Sequence, residues 1–322
     1  MRIVLMYSLS PPSMPHVERL RGLAPGLEVI AVDTEIQAIE ASQQAEVILG
    51  HRFLRQCLPH AKNLRWIQTS AQGVDRLPLV DIAQRGVILS RSTLDAQTVA
   101  AHAVAMAWSI TRALPSALVR QVSATWCQQL PFAPLPRRAV VLGMGAIGRA
   151  IASRLRAQDI EVTCARRRDH PGEKSDCANV VTDQAWRVAL NDADWCFLAL
   201  PNTPETSGLF NKAAIAALPP HAVLVNVGRG ETLDTQALLE ALQGGHLAGA
   251  GLDVVEHEPL PANHPLWRAP RLFITPHIAS HHPARNAGVE RFFEQQVARY
   301  VSGEQLLDVI DLAKYHHRPG NQ

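Results

Sequence analysis

The sequence predicts an α/β protein with two doubly wound parallel sheets, and three observations carry this prediction. In the first 95 residues, the apolar runs RIVLMY, AEVILG, LRWIQTS and GVILS alternate with segments of helical spacing. A second series begins after residue 138, and its strands are nearly continuous apolar runs, which is typical of a parallel sheet covered on both faces. Near the end, ARNAGVERFFEQQVARYVSG predicts one more helix, which we expect to return to the first domain.

The connections between these series suggest where the domains divide. Residues 96–122 are rich in alanine and predict one long helix after Asp95, a residue suited to the N-cap, and this helix is a candidate dimer surface. Residues 130–138, LPFAPLPRR, predict a stiff connection because proline fixes the backbone. We therefore predict a discontinuous smaller domain of residues 1–95 plus 283–322 and a larger domain of residues 96–282.

Composition narrows the class of protein. With 322 residues, 47% of them hydrophobic and 19% charged, the chain can bury two cores. A net charge of +2 gives no reason to expect nucleic acid as a partner. The five cysteines form no CxxC pair, no metal-ligand spacing is visible, and neither a signal peptide nor an apolar run of membrane-spanning length occurs. These features predict a soluble cytoplasmic protein without a metal.

A glycine-rich turn follows the first strand of the second series. Gly143, Gly145 and Gly148 form G-x-G-x-x-G between AVVLGMG and the helical segment AIGRAIASRLRAQ. In this context the first glycine allows a tight turn, the second allows a pyrophosphate to approach, and the third allows the helix to pack on the strand. The amides at Ala146 and Ile147 then begin a helix whose positive end attracts phosphate. The pattern predicts a Rossmann-type dinucleotide site.

Three consecutive arginines follow the next strand, IEVTCA. Arg166 stands 18 residues after Gly148, at the position where an NAD site usually carries an acidic residue for the ribose hydroxyls. Arginines there bind the 2′-phosphate of NADP with charge-assisted hydrogen bonds. We therefore predict NADP(H), with NAD(H) at lower efficiency, and with Arg166 and Arg167 as the contacts. The alternative is that only Arg166, or none of the three arginines, touches the cofactor and that the rest, including Arg168, form a solvated turn.

Three further segments resemble a known enzyme family. NVGRGETLDTQALLEAL contains Arg229, GAGLDVVEHEPLP contains Asp253 and Glu258, and LFITPHIAS contains His277. With the glycine turn, they resemble the D-isomer-specific 2-hydroxyacid dehydrogenases over most of the chain. The resemblance implies a Rossmann-type cofactor domain and a flavodoxin-like substrate domain that close around a cleft, commonly in a homodimer.

The resemblance also assigns roles to single residues. Arg229, Glu258 and His277 match the family's catalytic arginine, glutamate and histidine: His277 exchanges a proton with the substrate oxygen, Glu258 fixes its tautomer, and Arg229 clamps the substrate carboxylate. Other predicted cofactor contacts are Pro201, Thr206, Val227 and Asp253, the last lying near the nicotinamide or His277. In SAQGVD, residues 70–75, the predicted substrate contacts are Gln72 and Gly73, although a loop without substrate contact remains an alternative.

The resulting prediction is an NADPH-dependent reductase of a small 2-oxo acid, of the glyoxylate and hydroxypyruvate class. One alternative is a dehydrogenase of a larger or phosphorylated D-2-hydroxy acid. Another is a dinucleotide-sensing regulator built on the same scaffold. The sequence leaves the substrate side chain open.

Overall fold

The computed structural model describes residues 1–7, 11–166, 179–182 and 185–313. It divides into two compact units, which we call unit 1 (Met1–Asp95 with His282–Gln322) and unit 2 (Ala96–His281). Each unit contains one sheet in which every pair of neighbouring strands is parallel. The predicted α/β fold class with two parallel sheets is therefore confirmed.

The elements are numbered in chain order. The strands are β1 (Arg2–Met6), β2 (Glu28–Ala31), β3 (Val47–Gly50), β4 (Trp66–Gln68), β5 (Ile88–Ser90), β6 (Arg138–Leu142), β7 (Glu161–Ala165), β8 (Asn179–Val181), β9 (Trp195–Leu198), β10 (Val223–Asn226), β11 (Gly249–Leu252) and β12 (Leu272–Ile274). The helices are α1 (Met14–Arg21), α2 (Glu35–Ser42), α3 (Leu54–Cys57), α4 (Leu79–Gln84), α5 (Ala96–Thr111), α6 (Leu114–Val122), α7 (Ala146–Arg156), α8 (Trp186–Ala189), α9 (Lys212–Ala217), α10 (Thr235–Gln243) and α11 (Arg285–Val301).

Unit 1 is a five-stranded sheet in the order β2-β1-β3-β4-β5 with an apolar core on each face. Helix α11 contributes Phe293 and Val297 to the core that also contains Ile3 and Leu5 of β1. This packing explains why the last helix belongs to the same unit as the start of the chain: its apolar stripe is buried there. The sequence analysis missed β2, because its four residues bury only Val29 fully.

Unit 2 is a seven-stranded sheet in the order β12-β11-β10-β9-β6-β7-β8. Two apolar cores cover its faces, as the continuous apolar strands predict. Helix α5 approaches β11 closely, since a Cβ at Gly251 would lie 3.2 Å from Cε of Met106. The carboxyl ends of these parallel strands share one edge, where such sheets bind ligands.

The prediction of one helix over residues 96–122 is wrong. Helix α5 ends at Thr111, Ala113 takes a left-handed backbone with φ of 53°, and α6 starts with Pro115 in its first turn. Proline has no N–H to continue the preceding helix and is favoured in the first turn of a new one. Within the described ranges, no helix is long and apolar enough to cross a membrane.

One cysteine forms a disulfide bond that the sequence analysis did not predict. Cys57, Cys127 and Cys196 are free thiols, but Cys164 of β7 is disulfide-bonded. Spacing along the chain could not reveal this bond, because cysteine pairing depends on which segments the fold brings together.

Candidate active site

The glycine-rich turn has the backbone geometry that a dinucleotide site needs. Gly143 has φ of +104°, and a Cβ there would lie 2.5 Å from the carbonyl oxygen of Ala199. A Cβ on Gly148 would overlap the carbonyl oxygen of Gly143, so the helix packs directly on the turn. In contrast, a Cβ on Gly145 would meet nothing within 4 Å, so the backbone is open to an approaching group.

Helix α7 begins at this turn with free hydrogen-bond donors. Gly145 is its N-cap and supplies no side-chain acceptor, so the first amides, at Ala146, Ile147 and Gly148, are directed out of the helix end. With the helix dipole, these amides suit an anion. The residues present therefore fit the pyrophosphate of a dinucleotide.

Arg166 lies beside the glycine turn. Strands β6 and β7 pair in parallel, and the amide of Gly143 donates to the carbonyl oxygen of Ala165 at 3.0 Å. Arg166 is the next residue; its amide donates to the oxygen of Val181 at 3.0 Å, and its side chain is half-buried. Arg167 and Arg168 lie outside the described residues. The structure thus brings Arg166 to the edge of the sheet that carries the predicted phosphate site.

Two other turns at this edge contain predicted cofactor contacts. After β9, the hydroxyl of Thr206 donates to the oxygen of Pro201 at 2.6 Å and accepts from the amide of Thr203 at 2.8 Å. After β10, Val227 is buried and its amide donates to the oxygen of Leu198 at 3.0 Å. Strand β9 is the neighbour of β6, which carries the glycine turn, and β10 is the next strand beyond it.

Arg229 lies in a turn that buried polar groups hold. Asn226, at the end of β10, donates through Nδ2 to the oxygen of Arg229 at 3.0 Å and accepts from the amide of Gly228 at 3.0 Å. The hydroxyl of Thr232 also donates to the oxygen of Arg229, at 2.6 Å. A Cβ on Gly230 would overlap the backbone of Val255, which places the Arg229 turn against the segment leading to Glu258.

His277 and Glu258, which the sequence analysis paired, are in direct hydrogen-bond contact. His277 Nδ1 lies 2.8 Å from Glu258 Oε2, while Glu258 Oε1 accepts from the amide of Val255 at 3.3 Å. The His277 side chain is 47% exposed and that of Glu258 22% exposed. Because the carboxylate occupies Nδ1, this nitrogen holds its proton and Nε2 is the nitrogen suited to proton exchange.

Asp253 holds the loop that carries His277. Its buried carboxylate accepts from the hydroxyl of Thr275 at 2.6 Å and from the amides of Ile278 at 2.9 Å and Ala279 at 3.1 Å, and its carbonyl oxygen accepts from the amide of His277 at 2.8 Å. These bonds stabilise a left-handed backbone at His277, where φ is 54°. Asp253 therefore binds the backbone amides of His277 itself and of the two residues that follow it.

The sequence analysis missed one polar contact of this loop. His102 of α5 places Nε2 3.0 Å from Oγ1 of Thr275. The available signal was that His102 is the one titratable residue of α5, most of whose other residues are apolar. A polar side chain at such a position needs a hydrogen-bonding partner, but the sequence does not show which one.

The predicted substrate contacts Gln72 and Gly73 lie in unit 1, in the loop after β4. The amide of Ala71 donates to the hydroxyl of Thr69 at 3.0 Å, and Arg91 Nη1 donates to the carbonyl oxygen of Gln72 at 3.4 Å. His51, after β3, places Nδ1 2.8 Å from the same Thr69 hydroxyl, and burial together with the charge of Arg285 lowers the pKa of His51. The loop is therefore held by Arg91 at Gln72 and by His51 at the Thr69 hydroxyl.

The fold and the site define a class of protein. A doubly wound parallel sheet with a glycine-rich turn after β6, and with a histidine–glutamate pair at its carboxyl edge, makes unit 2 a Rossmann-type dinucleotide-binding domain.

Comparisons with known proteins agree with that class. Residues 104–279 match the family model "D-isomer specific 2-hydroxyacid dehydrogenase, NAD binding domain". Glyoxylate/hydroxypyruvate reductase B of Yersinia pestis is 31% identical over 257 residues, which are 77% of this chain and 78% of the relative. A D-isomer-specific 2-hydroxyacid dehydrogenase family protein of Aeromonas salmonicida is 29% identical with a TM-score of 0.77, covering 97% of this chain and 99% of that one.

A second solved structure contains a cofactor. The D-isomer-specific 2-hydroxyacid dehydrogenase of Xanthobacter autotrophicus, in complex with NADPH and MES, is 25% identical with a TM-score of 0.77, covering 98% of this chain and 99% of that one. The present chain belongs to the D-isomer-specific 2-hydroxyacid dehydrogenase family, a family of oxidoreductases. The family resemblance seen in the sequence motifs is confirmed.

Proposed function

We propose that this protein reduces a small 2-oxo acid of the glyoxylate and hydroxypyruvate class to the D-2-hydroxy acid, with NADPH as the electron donor. The observation that carries the proposal is the His277–Glu258 pair, 2.8 Å apart, at the carboxyl edge of a dinucleotide-binding sheet. A relative that is 31% identical, named glyoxylate/hydroxypyruvate reductase B, supports the substrate class.

The protein's own residues divide the chemistry between them. A nicotinamide dinucleotide held at the glycine turn and the start of α7 would supply a hydride, two electrons and one proton, to C2 of the 2-oxo acid. His277 gives the second proton to the carbonyl oxygen through Nε2, while Glu258 keeps the proton of Nδ1 in place. Arg229 binds the substrate carboxylate and polarises the carbonyl, for which a planar and permanently charged guanidinium is suited. Oxidation of the product reverses these transfers.

The preference for NADPH rests on Arg166. It follows β7 next to the glycine turn and occupies the position at which NAD enzymes carry a carboxylate. An arginine there favours the 2′-phosphate, and NADH is then the poorer donor. Arg167 is the second proposed contact of this phosphate. The NADPH complex of the Xanthobacter relative supports the assignment.

The other assigned residues are also part of the proposal. In this proposal the turns after β9 and β10 contact the cofactor through Pro201, Thr206 and Val227. Asp253 supports the loop that carries His277. Gln72 and Gly73 contact the substrate carboxylate, and the amide side chain of Gln72 makes the substrate site more polar than an apolar residue there would.

The proposal is tested by following NADPH oxidation with glyoxylate, hydroxypyruvate and pyruvate in turn, and by repeating each assay with NADH. We expect turnover with glyoxylate or hydroxypyruvate and a higher kcat/KM for NADPH than for NADH. Turnover only with bulkier or phosphorylated 2-oxo acids would identify a different dehydrogenase. Tight NADPH binding without turnover of any 2-oxo acid would instead indicate a dinucleotide-sensing regulator.

We also propose that the protein is a homodimer and that a second copy covers an apolar face on α6. Leu114, Leu118 and Val122 repeat at helical spacing and are 50%, 59% and 90% exposed, and Trp126 beyond them is 92% exposed. Monomers rarely expose a contiguous apolar surface of this kind. The candidate dimer surface is therefore placed on α6, because most residues of α5 are buried and none of those of α6 is.

Light scattering is expected to give twice the mass of one chain for the unmodified protein. The double variant L118D/V122D should give the mass of one chain, because two carboxylates would then be desolvated at the contact. As a control, Val188→Asp changes an exposed residue of α8 and should leave the dimer intact. A monomeric unmodified protein would refute this part of the proposal.

A further inference from the structure

A chain of hydrogen bonds runs from α5 to the loop of His277. His102 Nε2 lies 3.0 Å from Thr275 Oγ1, which lies 2.6 Å from Asp253 Oδ1. His102 Nε2 is also 3.6 Å from Asp253 Oδ1, and the Asp253 carboxylate accepts from the amides of Ile278 and Ala279. The chain therefore connects α5 with the residues on both sides of His277.

The direction of each hydrogen bond between His102, Thr275 and Asp253 follows from which of these groups carries a proton to donate. The Thr275 hydroxyl has one proton, and the 2.6 Å contact with a carboxylate commits it to Asp253. Thr275 Oγ1 can then only accept from His102, so the proton of the His102 ring is on Nε2. A ring protonated only on Nδ1 would place two acceptors 3.0 Å apart.

We propose that His102 is a positioning residue for His277, acting through Thr275 and Asp253; the kinetic part of this inference rests on the proposed reductase function. His277 needs such support because its backbone is left-handed and its side chain is 47% exposed, so packing alone does not restrain the ring. His102 orients the Thr275 hydroxyl towards Asp253. Asp253 in turn holds the amides that follow His277 and the amide of His277 itself.

The tautomer of His102 tests the hydrogen-bond chain without any turnover. In ¹⁵N-labelled protein, long-range nitrogen–proton spectra distinguish Nε2–H from Nδ1–H rings, and His102→Leu identifies the His102 signals. We expect Nε2–H for His102, and we expect the His277 signals to shift in His102→Leu. An Nδ1–H ring at His102, or His277 signals that stay unchanged in His102→Leu, would overturn the inference.

Steady-state kinetics test whether the positioning of His277 by His102 affects turnover. His102→Leu should lower kcat about fivefold to tenfold, the effect of losing one hydrogen bond in a positioning chain, with little change in KM. His102→Gln places an amide donor where Nε2 stood and should restore kcat to within about twofold of the unmodified protein. A His102→Gln variant as slow as His102→Leu would contradict the positioning role.

A double-mutant cycle shows whether His102 acts through Thr275. Thr275→Val removes the hydroxyl, so adding His102→Leu to it should lower kcat no further. Additive losses would overturn the inference. The control is His246→Leu at the opposite, amino end of β11; His246 is also half-buried and bonds one backbone oxygen, that of Ile215 at 3.2 Å. It should leave kcat and the His277 signals unchanged.

The two proposals fail in different ways. If the unmodified protein turns over no 2-oxo acid, the proposed function fails, while the NMR spectra still decide whether the chain positions His277. If the unmodified protein is active and His102→Leu matches it, only the positioning inference fails.

Discussion

Replacing His277 with alanine is expected to lower kcat for 2-oxo acid reduction by about 10³-fold, within the range that a positioned acid–base group contributes. The loss is expected because the carbonyl oxygen must gain a proton as the hydride arrives, and solvent then has to supply it. Binding of NADPH should change little, since the glycine turn and Arg166 belong to other loops. Steady-state kinetics and a fluorescence titration with NADPH measure the two effects.

His281→Ala is the matched control for this prediction. His281 is exposed and only four residues further along the chain, so a loss of loop structure alone would affect both variants. The control should keep nearly full kcat, and thermal unfolding should be similar for both proteins. Near-normal turnover by His277→Ala would refute the assignment of His277 as the proton donor.

Arg166→Asp is expected to move the cofactor preference from NADPH towards NADH. The ratio of kcat/KM for the two cofactors should change by about 10²-fold, because the variant loses charge-assisted hydrogen bonds to the 2′-phosphate and places a carboxylate where that phosphate lies. The same carboxylate can accept hydrogen bonds from the ribose hydroxyls of NADH. Initial rates with each cofactor at a fixed concentration of 2-oxo acid measure the ratio.

Arg156→Asp provides the same change of charge at a different place. Arg156 is exposed in the last turn of α7, at the end of the helix away from the glycine turn. It should leave the cofactor ratio unchanged, which separates a local contact from the effect of net charge. An unchanged ratio in Arg166→Asp would mean that Arg166 is part of a solvated turn and does not bind the phosphate.

Local patterns predicted the fold class because most strands of unit 2 are apolar runs that can be recognised one by one. Runs such as β9 and β10 are buried at every residue, and such runs are visible in the sequence. The strands that were missed are short or partly exposed: β8 has three residues, none of them fully buried. A strand of this kind forms because a neighbour, here β7, offers its hydrogen-bonding edge.

The sequence by itself determined the glycine-rich turn, because its three glycines stand at a short fixed spacing between a strand and a helix. The resemblance of three further segments to one enzyme family singled out Arg229, Glu258 and His277. The tertiary structure alone decided how they are held. His102 and Thr275 are 173 residues apart, and Asp253 and Ile278 are 25 apart. Hydrogen bonds over such separations depend on strand order and helix packing, which no local sequence pattern records. These same bonds support the left-handed backbone of His277.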